Sequence, residues 1–181
     1  MIKRIIIAGA GGQGIMLLGK VLAVAAMREN KNVTWLPAYG AEVRGGTAHC
    51  SVIISDEPIG SPCVDKADFL IIMNEPSLNK FKHKIDKNGF FFINGSLVDS
   101  GYLAAKNVVS GQFTRVASEL GNIKTANMVA LGMLIKYSGI CKDKTVKEVI
   151  KDMGRGHGQE LINTNIKAFE KGANLLMKGS L

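Results

Sequence analysis

The stretch "IIIAGAGGQGIMLLGK", residues 5–20, decides how the rest of this chain is read. The continuous β-branched run Ile5-Ile6-Ile7, ended by glycine, predicts a strand buried in a parallel sheet. Gly9, Gly11 and Gly14 fit the pattern G-x-G-x-x-G, and Gly12 adds a fourth glycine. Leu18, Val21, Leu22 and Ala25 then recur at helical spacing, which predicts a helix from Ile15 to Met27. Its small residues Gly19, Ala23 and Ala26 let that helix lie close to a sheet. Strand, glycine turn and helix in this order are the opening unit of a Rossmann-type fold. Glycine permits positive φ and close approach, and the helix start offers unpaired N–H groups to an anion.

Working outward, Asn32 to Leu36 reads as a second strand stopped by Pro37. A glycine-bearing stretch, "PAYGAEVRGGTAH" (Pro37 to His49), leads into a third strand over Cys50 to Ile54. Asp68 to Met73 is a fourth strand, and Asn74-Glu75-Pro76-Ser77 starts a helix with Asn74 as its N-cap. Gly89 to Ile93 makes a fifth strand, and Val108-Val109 a short sixth. Helices follow over Ala126 to Tyr137, Thr145 to Met153 and Glu160 to Met177, with a hinge-like Gly154–Gly158 between the last two. Asn127 and Gly132 read as packing and capping residues of the first of these. The expected fold class is α/β: a single Rossmann-like domain over 1–181, a mainly parallel sheet flanked by helices, with a helical C-terminal end.

Composition removes several function classes. The 181 residues are 46% hydrophobic, enough for one compact core. A formal charge of +8, from 23 Lys+Arg against 15 Asp+Glu, suits phosphates or an acidic partner, although a lysine-rich solvated surface is its ordinary meaning. Lys142, Lys144, Lys147 and Lys151 read as such a face. Aromatics are 6% and no basic tract interleaves with them, which argues against nucleic-acid recognition. Cys50, Cys63 and Cys141 are far apart, so this chain alone offers no iron–sulfur or zinc spacing and no disulfide framework. Cys50 and Cys63 read as buried or half-buried thiols. Met1-Ile2-Lys3-Arg4 runs straight into the first strand, and no apolar run is long enough to span a membrane. A cytoplasmic protein without membrane contact is expected.

The dinucleotide reading fails its second requirement. An NAD site carries Asp or Glu at the tip of the second strand, on the ribose. Here the tip is Trp35-Leu36-Pro37-Ala38, and Glu42 comes several residues too late. A Walker loop fails too, because Gly19-Lys20-Val21 lies inside the helix. No G-x-S-x-G or H-E-x-x-H occurs, and His49, His83 and His157 are isolated. A loop shaped for close approach, with no catalytic residues beside it, describes a subunit.

"GAGGQGIMLLGKVLAVAA", "LPAYGAEVRGGTAHCSVIISDEPIGSP", "ADFLIIMNEPSL" and "TANMVALGML" together resemble the gamma subunit of 2-oxoacid:ferredoxin oxidoreductases, in its 2-oxoglutarate form. The pairing of G-x-G-G-Q-G with Y-G-x-E-x-R-G-G carries the resemblance. It implies a hetero-oligomeric enzyme that decarboxylates a 2-oxoacid oxidatively, forms the acyl-CoA thioester and passes electrons to ferredoxin. It implies thiamine diphosphate with Mg, iron–sulfur clusters and coenzyme A in the complex. None of these is bound by this chain alone, which is inactive in isolation. The implied partners are the alpha, beta and delta subunits, with ferredoxin reached through the complex. The alternatives are a free-standing nucleotide- or CoA-binding protein and the small subunit of an indolepyruvate-type enzyme.

The expected contact residues are Gly9, Gly11, Gly12, Gln13 and Gly14 in the first turn, then Tyr39, Gly40, Glu42, Arg44, Gly45 and Gly46, and Asn74. The first turn either presents N–H groups to a phosphate of coenzyme A or accepts the backbone of a partner subunit; the plainer reading is a tight strand-to-helix connection. Arg44 can fork onto a carboxylate or phosphate. Both glycine-rich turns are expected at the carboxyl edge of the sheet. No catalytic residue and no metal ligand is expected.

Overall fold

The structure, a computed structural model, describes residues 1–38, 47–99, 101, 103 and 107–175. Its strands are β1 (Ile2–Ala10), β2 (Asn32–Ala38), β3 (Thr47–Ser55), β4 (Ala67–Ile72), β5 (Ile85–Asn94) and β6 (Val108–Gly111). They form one sheet in the order β2-β3-β1-β4-β5-β6. The pairs β1–β4, β4–β5 and β5–β6 are parallel, whereas β3 is antiparallel to both β1 and β2. Five strands therefore point one way and β3 opposes them, so the sheet is mixed with a parallel majority.

The helices are α1 (Ile15–Arg28), α2 (Glu75–Phe81), α3 (Phe113–Glu119), α4 (Ala126–Ser138), α5 (Asp143–Met153) and α6 (Gln159–Leu175). Alternation along β1 sends Ile5 and Ile7 into the core shared with α1 and α4, and Ile6 and Ala8 into the core under α2. The two crossover helices thus lie on opposite faces, and the order turns from left to right of β1. That makes the gap between the carboxyl ends of β1 and β4 the topological switch point, where open α/β sheets hold ligands. Gly19 lets α1 press onto the sheet: a β-carbon there would stand 2.5 Å from Cys50 Sγ and 3.0 Å from Trp35 Nε1.

Helix α4 is buried from Ala126 to Ile135. It crosses α6 at two reciprocal glycines. A β-carbon on Gly132 would land on the carbonyl oxygen of Phe169, and one on Gly172 on that of Val129. Gly132 is therefore a packing residue, as the sequence suggests.

Two expectations need correction. Pro37 does not stop the second strand; β2 runs on to Ala38, pairing Pro37 with Cys50, because β2 is an edge strand where a missing N–H is tolerated. Cys63 is exposed, since it lies in the loop before β4 and not in either core. Cys50 and Cys141 are buried, and burial pushes both thiols up to about 12. No helix among the described residues is long and apolar enough to cross a membrane.

Candidate functional site at the carboxyl edge of the sheet

The glycine turn closes the switch point, and Gln13 is what closes it. Its side-chain oxygen accepts the N–H of Ala10 at 2.7 Å, and its amide nitrogen donates to the carbonyl of Met73, just past β4, at 3.3 Å. The backbone N–H of Gln13 returns to the Ala10 carbonyl at 3.2 Å. One side chain therefore ties the end of β1 to the end of β4. Gly9 must be glycine to allow this, because a β-carbon there would meet Ile15 Cδ1 at 2.6 Å and Gln13 Oε1 at 2.7 Å.

Gly14 enters α1 at φ 71° as its N-cap, with no side-chain cap and no acidic residue in the first turn. The Asn127 amide donates to the Gly14 carbonyl at 3.1 Å, while its oxygen accepts the N–H of Met128 at 2.9 Å. Asn127, in the first turn of α4 behind the N-cap Thr125, thus takes up the Met128 N–H and pins the glycine turn. Gly12, at φ 88°, has open space where a side chain would be. So Gly9 and Gly14 are explained by packing and geometry, and Gly12 presents its backbone outward.

The edge continues polar beyond the turn. Fully buried Asn94 donates to Met73 O at 3.2 Å and to Thr114 Oγ1 at 2.8 Å, and accepts from Thr114 N at 3.2 Å. Met73 O therefore receives both Gln13 and Asn94, joining β1, β4, β5 and α3 in one network. Asn74 caps α2: its side chain accepts the Ser77 N–H at 3.2 Å and also pairs with the Ser77 hydroxyl. Sequence reasoning passed over Asn94 and Thr114. The available signal was an amide ending an otherwise apolar strand, Phe90 to Asn94.

Beside the turn lies a cleft of about 170 Å³ lined by Gly12, Gln13, Leu97, Thr114, Ile123, Lys124 and Ala126. An uncapped helix start next to a lysine favours an anionic group. Of the expected contact residues, the structure brings Gly9, Gly11, Gly12, Gln13, Gly14 and Asn74 to this edge. Tyr39, Gly40, Glu42, Arg44, Gly45 and Gly46 lie outside the described residues. Their flanks are placed: Ala38 ends β2, and Thr47 pairs with Ala10 at the end of β1.

The order of strands weighs further against a dinucleotide. With β3 wedged between them, the tip of β2 stands about 9–10 Å from β1, two strand spacings, instead of beside the glycine turn. Among the described residues, no group of three or more His, Cys, Asp or Glu could hold a metal. His49 sits on β3 with its ring 4.7 Å from Phe81, and burial first, then Lys80 and Lys84, lower its pKa.

Fold and edge together define an open α/β protein with a plugged switch point and an outward glycine turn. The profile of the pyruvate ferredoxin/flavodoxin oxidoreductase family matches residues 4–175, and the chain belongs to that family. It is 36% identical over 174 residues to the ketoisovalerate oxidoreductase subunit VorA of Methanothermobacter thermautotrophicus, covering 94% of this chain and 35% of that one. It is 35% identical over 176 residues to the 2-oxoglutarate synthase subunit KorC of Methanocaldococcus jannaschii, covering 95% of this chain and 92% of that one. Among solved structures, the 2-oxoglutarate:ferredoxin oxidoreductase of Magnetococcus marinus, with 2-oxoglutarate, coenzyme A and succinyl-CoA bound, is similar with a TM-score of 0.90. Identity there is 28%, over 99% of this chain and 32% of that one. The gamma subunit of a keto/oxoacid ferredoxin oxidoreductase from Geobacter sulfurreducens is similar at a TM-score of 0.84 and 25% identity, over 98% of both chains. The chain thus spans about a third of the length of the first curated relatives it matches.

Proposed function

We propose that this chain is the gamma subunit of a cytoplasmic, multi-subunit 2-oxoacid:ferredoxin oxidoreductase, acting on 2-oxoglutarate, and that residues 1–181 form one domain of it. The observation that carries the reading is the match to a KorC chain across 92% of that chain's length. In this reading the chemistry belongs to the partner alpha, beta and delta chains. Thiamine diphosphate with Mg would supply the decarboxylation there, and iron–sulfur clusters the path to ferredoxin. The residues described here do not suit those groups: Cys50 and Cys141 are buried in the apolar core, Cys63 is exposed, and among the described residues no group of three or more His, Cys, Asp or Glu could hold a metal.

Coenzyme A is a different matter, because the carboxyl edge fits an anion. The outward Gly11-Gly12 backbone, the uncapped start of α1 and Lys124 would receive a phosphate, or alternatively a partner's backbone carbonyls. Gln13 and Asn127 hold the turn in the shape that offers those donors. Tyr39, Gly40, Glu42, Arg44, Gly45 and Gly46 belong to the same proposed contact region, and Asn74 serves it by fixing α2 at the β4 end. In a complex containing this subunit, the role of the chain is to complete a binding surface, and isolated it turns over no 2-oxoacid.

Anaerobic affinity capture of the tagged chain from its own cells tests the reading. It is expected to bring down chains carrying thiamine diphosphate and iron–sulfur clusters. Capture of the chain alone, with tight coenzyme A or nucleotide binding, would instead make it a free-standing binding protein.

A further inference from the structure

Between α1, α4, α5 and the start of α6 lies a mainly apolar slot of about 240 Å³, in which Leu17, Val21, Met128, Ile150, Met153 and Leu161 are joined by Gly154, His157 and Asn165. None of the residues lining it is Asp, Glu, Lys or Arg, in a chain that is 21% charged. Met128 and Ile150 form its buried interior, while Leu17 and Leu161 stand exposed at 40% and 37%. The slot adjoins a trough of about 490 Å³ along Leu120–Asn122 and His157–Thr164, with which it shares His157 and Leu161. Next along the chain, Ile123, 58% exposed, lines the cleft beside Gly12. One face thus runs from the slot, through the trough where Glu160 lies, to the cleft at the glycine turn where Lys124 lies, and its charge-free part is the slot. A monomer leaves such a patch uncovered at a cost, and charge depletion around large apolar side chains marks the core of a protein interface.

We infer that this face is the docking surface for another polypeptide of the same oxidoreductase, which inserts a large apolar side chain into the slot between Leu17 and Leu161. Chain length points to the occupant. In VorA and in the Magnetococcus marinus chain, the part matched here is about a third of a longer polypeptide. A unit joined to twice its own length of further chain has to seat a face against it. The other exposed large apolar residues, Met1, Ile2, Met27, Leu36 and Tyr137, line none of these clefts. The inference rests on the subunit reading above, with the partner chain replacing the covalent continuation.

The test compares anaerobic capture by the wild-type chain, Leu17→Glu, Leu161→Glu and the control Met27→Glu, each tagged in cells making the whole complex. Either slot variant is expected to recover at least tenfold less of the partner chains, and Met27→Glu the wild-type amount. Because both leucines are partly exposed, the isolated variants are expected to melt within about 2 °C of wild type. Should either melt lower, hydrogen exchange on the wild-type complex decides: protection of residues 157–165 over the isolated chain upholds the inference, and equal exchange overturns it. Full recovery with the slot variants overturns it as well. So does a dimer of the isolated chain that either variant dissolves, which would give the face to a second copy. If the wild-type chain itself captures no partner, the subunit reading fails first and the docking surface with it.

Discussion

Replacing Gly172 by alanine sets two effects of opposite sign against each other. In an exposed helix interior, alanine is favoured over glycine by about 1 kcal/mol. Here the new methyl group would land on the Val129 carbonyl oxygen, a backbone atom of α4 that cannot rotate away. Carbon–oxygen contacts normally sit near 3.3–3.6 Å, so α4 and α6 must part by more than about 1 Å. Even a gap of 0.5–1 Å forfeits about a quarter to a half of each dispersion contact, so a crossing with about 50 atom pairs at 0.1–0.2 kcal/mol each loses roughly 1–5 kcal/mol. The net expectation is a loss of about 2 kcal/mol, or about 4–8 °C in Tm for a chain of this size. Gly132→Ala, which meets the Phe169 carbonyl, is expected to do the same. The double variant should cost less than the sum, because the crossing is already parted. Thermal and urea melts followed by circular dichroism measure this, with Gly60→Ala, which meets nothing within 4 Å, as the neutral control. An unchanged or raised Tm for Gly172→Ala would mean that the helices do not cross this closely and would refute the packing argument.

Three further outcomes follow from the site and its surroundings. Asn127→Ala removes the bonds to Gly14 O and Met128 N and is expected to cost about 1–3 kcal/mol and speed amide exchange in the Gly11–Gly14 turn; unchanged exchange there would show that the turn does not depend on α4. A thiol reagent is expected to label only Cys63 quickly in the native chain, and all three cysteines after unfolding, since Cys50 and Cys141 are buried with pKa values near 12; rapid native labelling of two would contradict the core assignment. His49 has its folded pKa below 6.5, so the unfolded chain takes up its proton first: stability is complete above about pH 6.5 and falls as pH drops toward the folded value. Urea midpoints between about pH 7.5 and 5 should therefore fall less steeply in His49→Gln than in wild type, and identical slopes would show that His49 is not buried against Phe81.

The sequence made the switch point readable because its strongest signals are local. Ile5–Ile7, the glycines and the helical spacing after Ile15 required no knowledge of partners in space, and Asn74 announced its cap by Pro76 and Ser77 behind it. The reversed direction of β3 was not readable, because strand periodicity carries no polarity. Pro37 was misread for a related reason: whether a strand tolerates proline depends on its being at an edge, which is a property of the sheet. Gln13 was picked out within the turn, but its bridge to Met73 joins residues 60 apart and has no sequence signature. Asn94 and Thr114 pair across 20 residues and were missed on the same ground. Gly132 was recognised as a packing residue, whereas its reciprocal partner Gly172 became visible only with the crossing.

The proposed role of this chain is that of one part of a 2-oxoacid:ferredoxin oxidoreductase. The direct measurement is coenzyme A-dependent viologen reduction, under anaerobic conditions, by the complex captured through this chain, with 2-oxoglutarate, pyruvate, ketoisovalerate and indolepyruvate offered in turn. Reduction with 2-oxoglutarate above the other three, absent from the isolated chain, is the predicted result. A captured complex that reduces viologen with none of the four would overturn that role.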